Sequence, residues 1–306
     1  MTTLELPLRS PGGEPVDLWR TLISHGFASL SPAHVDEDAR SLALTIRVPG
    51  GRPRRVRIAE GRNGRARIDV LGPRPGARVT AAILEGVSHV LRLDQDLSAF
   101  YLLAAEDPDL AWATRGAGRL LRSPTVFEDV VKTICTTNCT WSATVRMVDA
   151  LVANLGDPAL GGDGPLTNAF PTPVAMARAP ERFYRDVVRA GYRGSYLRSL
   201  SRSVATGSLD LERFADPELP DEEVEAALLA LPGVGPYAAA HILMMLGRHS
   251  RLILDSWTRP TYAKLAGKKR PVADRLIERR FRRYGAHAGL AFWVFVTRDW
   301  DERDIG

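Results

Sequence analysis

The segment Leu231-Pro232-Gly233-Val234-Gly235-Pro236 constrains this chain more than any other feature. It separates two stretches with apolar residues at helical spacing, Asp221–Ala230 and Pro236–Leu246. Asp221, Glu222 and Glu223 fall in the first turn of the leading stretch, where carboxylates favour the positive end of the helix dipole. Leu231-Pro232 stops that helix. Gly233 and Gly235 allow positive φ and close backbone approach. Pro236 takes the first position of the next helix, where its missing N–H costs nothing. The pattern predicts a helix, a tight hairpin and a second helix. The N–H groups of Gly233, Gly235 and Tyr237 then point out of a helix N-terminus, which is an anion site. Such a site grips a phosphate without reading sequence.

Around that hairpin the chain divides by pattern. Residues 94–306 read as almost wholly helical, with candidate helices including Leu97–Ala105, Pro108–Thr114, Thr125–Asn138, Ser142–Asn154, Pro180–Ala190, Arg193–Thr206, Trp257–Leu265, Ala273–Tyr284 and Ala288–Asp299. Residues 1–93 mix helix and strand. Ser41–Val48, Arg55–Ala59 and Ala66–Leu71 alternate as strands, and Asn63-Gly64 is a hairpin dipeptide. Asp17–His25 and Thr80–Leu91 read as helices. The expected fold is α+β: an N-terminal antiparallel-sheet domain over 1–93 and a two-lobed helical domain over 94–306.

Charge and cysteine content narrow the function classes. The net charge is +5, which suits a polyanion such as nucleic acid. Nearly every cation is Arg; the lysines are Lys132, Lys264, Lys268 and Lys269. Lys268, Lys269, Arg270, Arg275, Arg279, Arg280, Arg282 and Arg283 form a basic stretch that suits phosphates or a solvated helix face. No apolar run approaches the ~18 residues that span a bilayer, and Met1–Pro11 lacks a signal-peptide pattern, so no membrane partner is expected. The two cysteines, Cys135 and Cys139, are too few for a four-thiolate zinc site or a cysteine-ligated iron–sulfur cluster within this chain. Their spacing suits packing on one helical face better than a redox pair. A reducing cytoplasm is expected, or a nucleus if the source has one.

With Asp255 following the apolar run Leu252-Ile253-Leu254, the hairpin resembles that of the helix–hairpin–helix DNA glycosylases of base-excision repair. The resemblance extends over Leu120–Leu155 (LLRSPTVFEDVVKTICTTNCTWSATVRMVDALVANL) and Phe170–Ala205, with RAGYRGSYLRSLSRSVA, toward the 8-oxoguanine and 3-methyladenine branch. It implies that Asp255 stabilises positive charge on the sugar as the base leaves and takes a proton from the attacking water. Asp255 also fits the N-cap of the helix starting near Trp257. Glycosylases of this kind that also cut the strand carry a Lys two residues after the second hairpin glycine. Tyr237 stands there, and a phenol forms no imine, so the expected enzyme is monofunctional.

The resemblance implies further roles. Leu231, Gly233, Val234, Gly235 and Tyr237 bind the DNA backbone, Asn138 enters the gap left by the flipped nucleotide, and Tyr192 wedges the stack. Arg193 pairs with the opposite base or a phosphate. Trp141, His241, Trp257 and Phe292 form the base pocket, with Trp293 beside them, an aromatic cleft that suits alkylated purines. The backbone carbonyls of Leu229, Leu231 and Val234 hold a monovalent cation. No organic cofactor and no iron–sulfur cluster are implied. The partner is double-stranded DNA containing a damaged base, bound by a monomer. Two alternatives remain open: a catalytically silent DNA-binding protein, and a bifunctional glycosylase/lyase using another amine.

Overall fold

The computed structural model describes residues 1–300, so the last six residues of the expected 94–306 segment lie outside the described ones. Five strands form one antiparallel sheet in the order β1-β5-β4-β3-β2: β1 (Thr2–Pro7), β2 (His34–Asp36), β3 (Ser41–Ile46), β4 (Arg54–Glu60) and β5 (Arg65–Val70). The register sets Leu42 opposite Ile58 and Ile58 opposite Ile68, with Leu44 opposite Val56 and Val56 opposite Val70. These rows put one buried apolar face on the sheet, and a one-residue slip would expose it. Arg57 and Arg67 take the exposed face. Asn63 (φ 54°) and Gly64 (φ 68°) both lie in the left-handed region, as the two-residue turn between β4 and β5 requires.

Two helices cover the buried face, α1 (Leu18–Leu22) and α2 (Ala77–Val90), through Leu18, Leu22, Ile83, Val87 and Val90. Ten helices follow among the described residues: α3 (Ser98–Ala105), α4 (Val126–Thr136), α5 (Trp141–Leu155), α6 (Pro173–Arg178), α7 (Arg193–Ala205), α8 (Asp221–Leu229), α9 (Pro236–Leu246), α10 (Thr258–Leu265), α11 (Asp274–Phe281) and α12 (Ala288–Val296). The protein is therefore α+β, an antiparallel sheet followed by a helical array. The two apolar cores interlock. Phe27 and Leu30 pack into the helical core, and Leu121 packs into the sheet core.

Several expected boundaries shift. The first strand, β1, and the short β2 were not expected, because edge strands carry weak patterns of their own. Pro108–Thr114 is a 3-10 turn over Ala111–Arg115. Pro180–Ala190 is not a regular helix: Val188 N–H donates five residues back to Phe183 O (3.0 Å), and Arg189 has φ 55°. Thr125–Asn138 stops at Thr136, which frees Asn138 (φ 47°) to form the turn into α5. The C-terminal helix stops at Val296 rather than Asp299.

Residues Val126–Cys135 of α4 are buried on every side. Its polar side chains are matched locally. Lys132 Nζ pairs with Glu128 (2.7 Å), and Asp129 accepts the N–H of Ser123 (3.1 Å). α9 and α12 are likewise buried along most of their length. These three helices form the floor on which the site is built.

Candidate active site

The hairpin between α8 and α9 forms as its glycines dictate. Val234 N–H closes the turn onto Leu231 O (3.1 Å), and Gly233 has φ 86°. A Cβ on Gly233 would lie 2.6 Å from the Tyr196 ring on α7, so glycine is required for space as well as for φ. The N–H groups of Gly233, Gly235 and Tyr237 make no hydrogen bond among the described residues. The carbonyls of Leu229 and Val234 receive no donor among those residues either, whereas Leu231 O is already taken by Val234.

Asp221 does more than face a helix dipole. It accepts Arg248 Nη1 (2.7 Å) and Ser250 Oγ (2.8 Å), and Arg248 also donates to Leu219 O (2.7 Å). These bonds fix the chain leaving α9 and so aim the segment ending at Asp255. Asp255 caps α10: its Oδ1 accepts the N–H groups of Trp257 (2.8 Å) and Thr258 (2.6 Å), and Thr258 Oγ1 accepts the N–H of Asp255 (2.9 Å). Oδ2 makes no hydrogen bond among the described residues. The cap holds one carboxylate oxygen and leaves the other without a partner, and Asp255 lines the cavity.

That cavity has a volume of about 800 Å³. It gathers six of the residues singled out in the sequence: Asn138, Trp141, Tyr237, His241, Asp255 and Trp257. Trp293, Trp300 and Phe27 add aromatic wall, and His25, Glu37 and Cys139 add polar groups. Trp257 lies 6.0 Å from Trp293 and 5.7 Å from Trp300, ring centre to ring centre. Burial raises the Tyr237 phenol above its ordinary range, and the nearby Asp255 carboxylate adds to that.

Two expected site residues lie elsewhere. Phe292 is fully buried, with its ring 5.4 Å from Phe281 and 6.2 Å from Tyr262, so it belongs to the core. Neighbouring residues on a helix diverge by about 100°, and the cavity-facing position is Trp293. Arg193 is buried rather than offered to DNA. Its Nε donates to Thr137 O (2.9 Å), and its Nη2 also binds that carbonyl. It thereby satisfies a carbonyl left open at the end of α4 and braces the turn carrying Asn138. Tyr192 remains half exposed (52%), and its hydroxyl accepts Asn138 Nδ2 (3.3 Å), so these two protruding candidates stand together.

The basic stretch also divides. Arg280 pairs with Asp109 and lies 4.3 Å from the Phe295 ring centre, and Arg283 pairs with Asp107. Arg280 is half-buried against the helical core, whereas Arg283, like Arg270, Arg275, Arg279 and Arg282, is exposed. Cys135 and Cys139 are free thiols; burial pushes Cys135 up to about 12, and Cys139 Sγ donates to Cys135 O (3.1 Å). No lysine lines the cavity: Lys132 is buried against Glu128, and Lys264, Lys268 and Lys269 are exposed. Among the described residues no cluster of His, Cys, Asp or Glu could hold a metal ion, and no helix is long and apolar enough to cross a membrane.

His25, Phe27, Glu37 and Trp300 also line the cavity without a sequence signal that marks them. His25, Phe27 and Glu37 come from the N-terminal part of the chain, and no local pattern marks them as neighbours of α9. His25 and His241 are both buried, with Nε2 against Nε2.

Burial lowers His241 to about 4 and His249 to about 3, and takes His25 well below 6.5. Between those values and 6.5 the unfolded chain binds protons that the folded chain refuses. Stability is therefore full above about pH 6.5 and is lost as pH falls through that window. Burial pushes Asp129 up to about 6, which acts in the opposite sense between its ordinary value and 6. The histidines outnumber it, so a net loss on the order of 1 kcal/mol per pH unit is expected below pH 6.5. Urea midpoints measured from pH 7 to pH 5 check this; a flat or rising profile would contradict it.

A hairpin with unpartnered N–H groups, a carboxylate that caps the next helix and an aromatic cavity stand together in this chain. No family model matches the chain. It is 32% identical to the N-glycosylase/DNA lyase OGG1 of Arabidopsis thaliana over 195 residues, 60% of this chain and 52% of the relative. It is 25% identical to a DNA-3-methyladenine glycosylase of Bacillus subtilis over half of each chain. The chain thus spans about half the length of the curated relatives it matches. Among solved structures, the 3-methyladenine DNA-glycosylase from Archaeoglobus fulgidus superposes with a TM-score of 0.72 at 19% identity, covering 99% of both chains. The Clostridium acetobutylicum 8-oxoguanine glycosylase/lyase, solved with double-stranded DNA, gives 0.71 at 19% identity, covering 95% of this chain and 93% of that one. The chain has the fold of these solved glycosylases, with sequence relatives named as an N-glycosylase/DNA lyase and as a DNA-3-methyladenine glycosylase.

Proposed function

We propose that the protein is a DNA N-glycosylase of base-excision repair. It binds duplex DNA, draws a damaged base into the aromatic cavity and hydrolyses the bond between base and deoxyribose. The observation that carries this reading is the free Oδ2 of Asp255 at the cavity wall, one helix away from a hairpin with open N–H groups. The hairpin takes a phosphate through Gly233, Gly235 and Tyr237. Asn138 and Tyr192 fill the space the flipped nucleotide leaves, which offsets an unstacking cost of a few kcal/mol. As the base departs with the bonding electrons, Asp255 stabilises the positive sugar, and it receives the proton of the water that adds to the sugar carbon.

With Tyr237 in place of an amine, water is the nucleophile and an abasic site the product. The lesion class we favour is an alkylated, cationic purine. Aromatic faces attract such a base by stacking and cation–π contact, and Asp255 and Glu37 add negative charge to the same wall. Leu229 O and Val234 O, both without donors, suit a hard monovalent cation at the hairpin. It would help hold the phosphate, and duplex affinity indifferent to K⁺ at constant ionic strength would remove it.

Duplex oligonucleotides carrying an alkylated adenine, 1,N6-ethenoadenine, hypoxanthine, uracil or 8-oxoguanine test the reading by alkali-revealed base loss. Release is expected from the alkylated substrates ahead of 8-oxoguanine. Salt-dependent binding without release from any of them would favour a silent DNA-binding protein instead.

A further inference from the structure

His25 and His241 come from opposite ends of the chain, yet their rings meet edge to face at the cavity, with centres 4.6 Å apart. The backbone N–H of Phe27 donates to His25 Nδ1 (3.3 Å). A backbone N–H can only donate, so His25 Nδ1 carries no proton and its proton sits on Nε2. That Nε2 is hydrogen-bonded to His241 Nε2, which must therefore accept. His241 then carries its proton on Nδ1, an atom without a partner in this structure. Burial keeps both rings neutral near pH 7, so each offers one donor and one acceptor.

We propose that His25 and His241 form a specificity-determining pair that reads the edge of the flipped base. The proposal rests on the glycosylase reading above. With the cavity empty, the donor His25 Nε2–H and the acceptor His241 Nε2 satisfy each other. A base edge with an acceptor beside an N–H donor exchanges with that bond: His25 donates to the base, and the base donates to His241. An amidine edge such as N7 and the amino group of adenine fits this pattern, as does an amide edge. An edge with two adjacent acceptors, such as N7 and O6 of guanine, leaves His241 Nε2 facing an oxygen and is disfavoured. The pair thus selects by hydrogen-bond polarity, while the tryptophans select by stacking.

The test uses the intact protein labelled with ¹⁵N-histidine, titrated with the free bases adenine and purine, which differ by the amino group. In the free protein His25 is expected as the Nε2–H tautomer and His241 as the Nδ1–H tautomer. Adenine is expected to shift both Nε2 resonances and to bind about fivefold more tightly than purine, the worth of one hydrogen bond. That ratio should fall to near one in His241→Leu, which removes the acceptor of the amino group, and persist in His241→Gln, whose amide oxygen replaces it. Reversed tautomers, equal affinity for the two bases, or no shift of either ring with either base would each overturn the proposal. The tautomer assignment needs no variant to fold. Failure of base release from lesion-bearing duplexes, with these shifts and the ratio observed, would remove the catalytic reading alone.

Discussion

Replacing Asp255 with Asn is expected to lower base release on the order of 10³-fold, the range that loss of a charge-stabilising or proton-accepting group produces. The same change is expected to leave stability within about 0.5 kcal/mol, because Asn caps a helix about as well as Asp. The structure makes this a clean separation. Oδ1 holds the N–H groups of Trp257 and Thr258, and an amide oxygen takes over both bonds. Only the charge at the cavity wall is lost. Asp255→Ala removes cap and charge together, and about 1 kcal/mol of stability should go with the activity. Single-turnover rates and urea denaturation on the two variants check both halves. Equal base release by Asp255→Asn and the parent would reduce Asp255 to a helix cap.

The second large effect concerns Lys132. In Lys132→Met the protein is expected to lose about 3–5 kcal/mol, the cost of leaving a buried charge without its partner. Glu128 and Lys132 are 5% and 2% exposed in their side chains and 2.7 Å apart on one face of α4. Coupling Lys132→Met to Glu128→Leu should restore most of the loss, since a well-packed apolar pair can replace a buried ion pair. Urea denaturation of the single and double variants provides the check. Base release per folded molecule is expected to be unchanged in the double variant, because neither residue lines the cavity. A loss below about 1 kcal/mol in Lys132→Met would show the pair to be solvated.

The parts legible in the sequence were those set by local rules. Helix α9 runs over Pro236–Leu246 as expected, because a proline opens it and Gly247, at φ 87°, closes it. The turn at Asn63-Gly64 and the cap at Asp255 are equally local. What was not legible depends on distant partners. The edge strand β1 pairs with β5 across more than sixty residues, Leu4 with Ile68, and only Leu4 and Leu6 mark its inner face. Arg193 is expected to meet a base or a phosphate, but the open Thr137 carbonyl that holds it lies just past the end of α4, more than fifty residues away. Phe292 and Trp293 differ only by rotation about α12, and packing against Phe281 and Tyr262 fixed which one faces the cavity. His25 reaches the site only because the sheet region docks against α9, and no spacing in the chain encodes that approach.

On the proposed reading, this cavity releases a damaged base by hydrolysis without cutting the strand. The most direct measurement incubates the protein with methylated duplex DNA in the presence and absence of borohydride. It scores free base in solution and strand integrity before and after alkali. The expected result is free 3-methyladenine, strands that stay intact until alkali is added, and no protein–DNA adduct with borohydride. Strand scission before alkali together with a trapped adduct, or tight duplex binding with no base in solution, would contradict it.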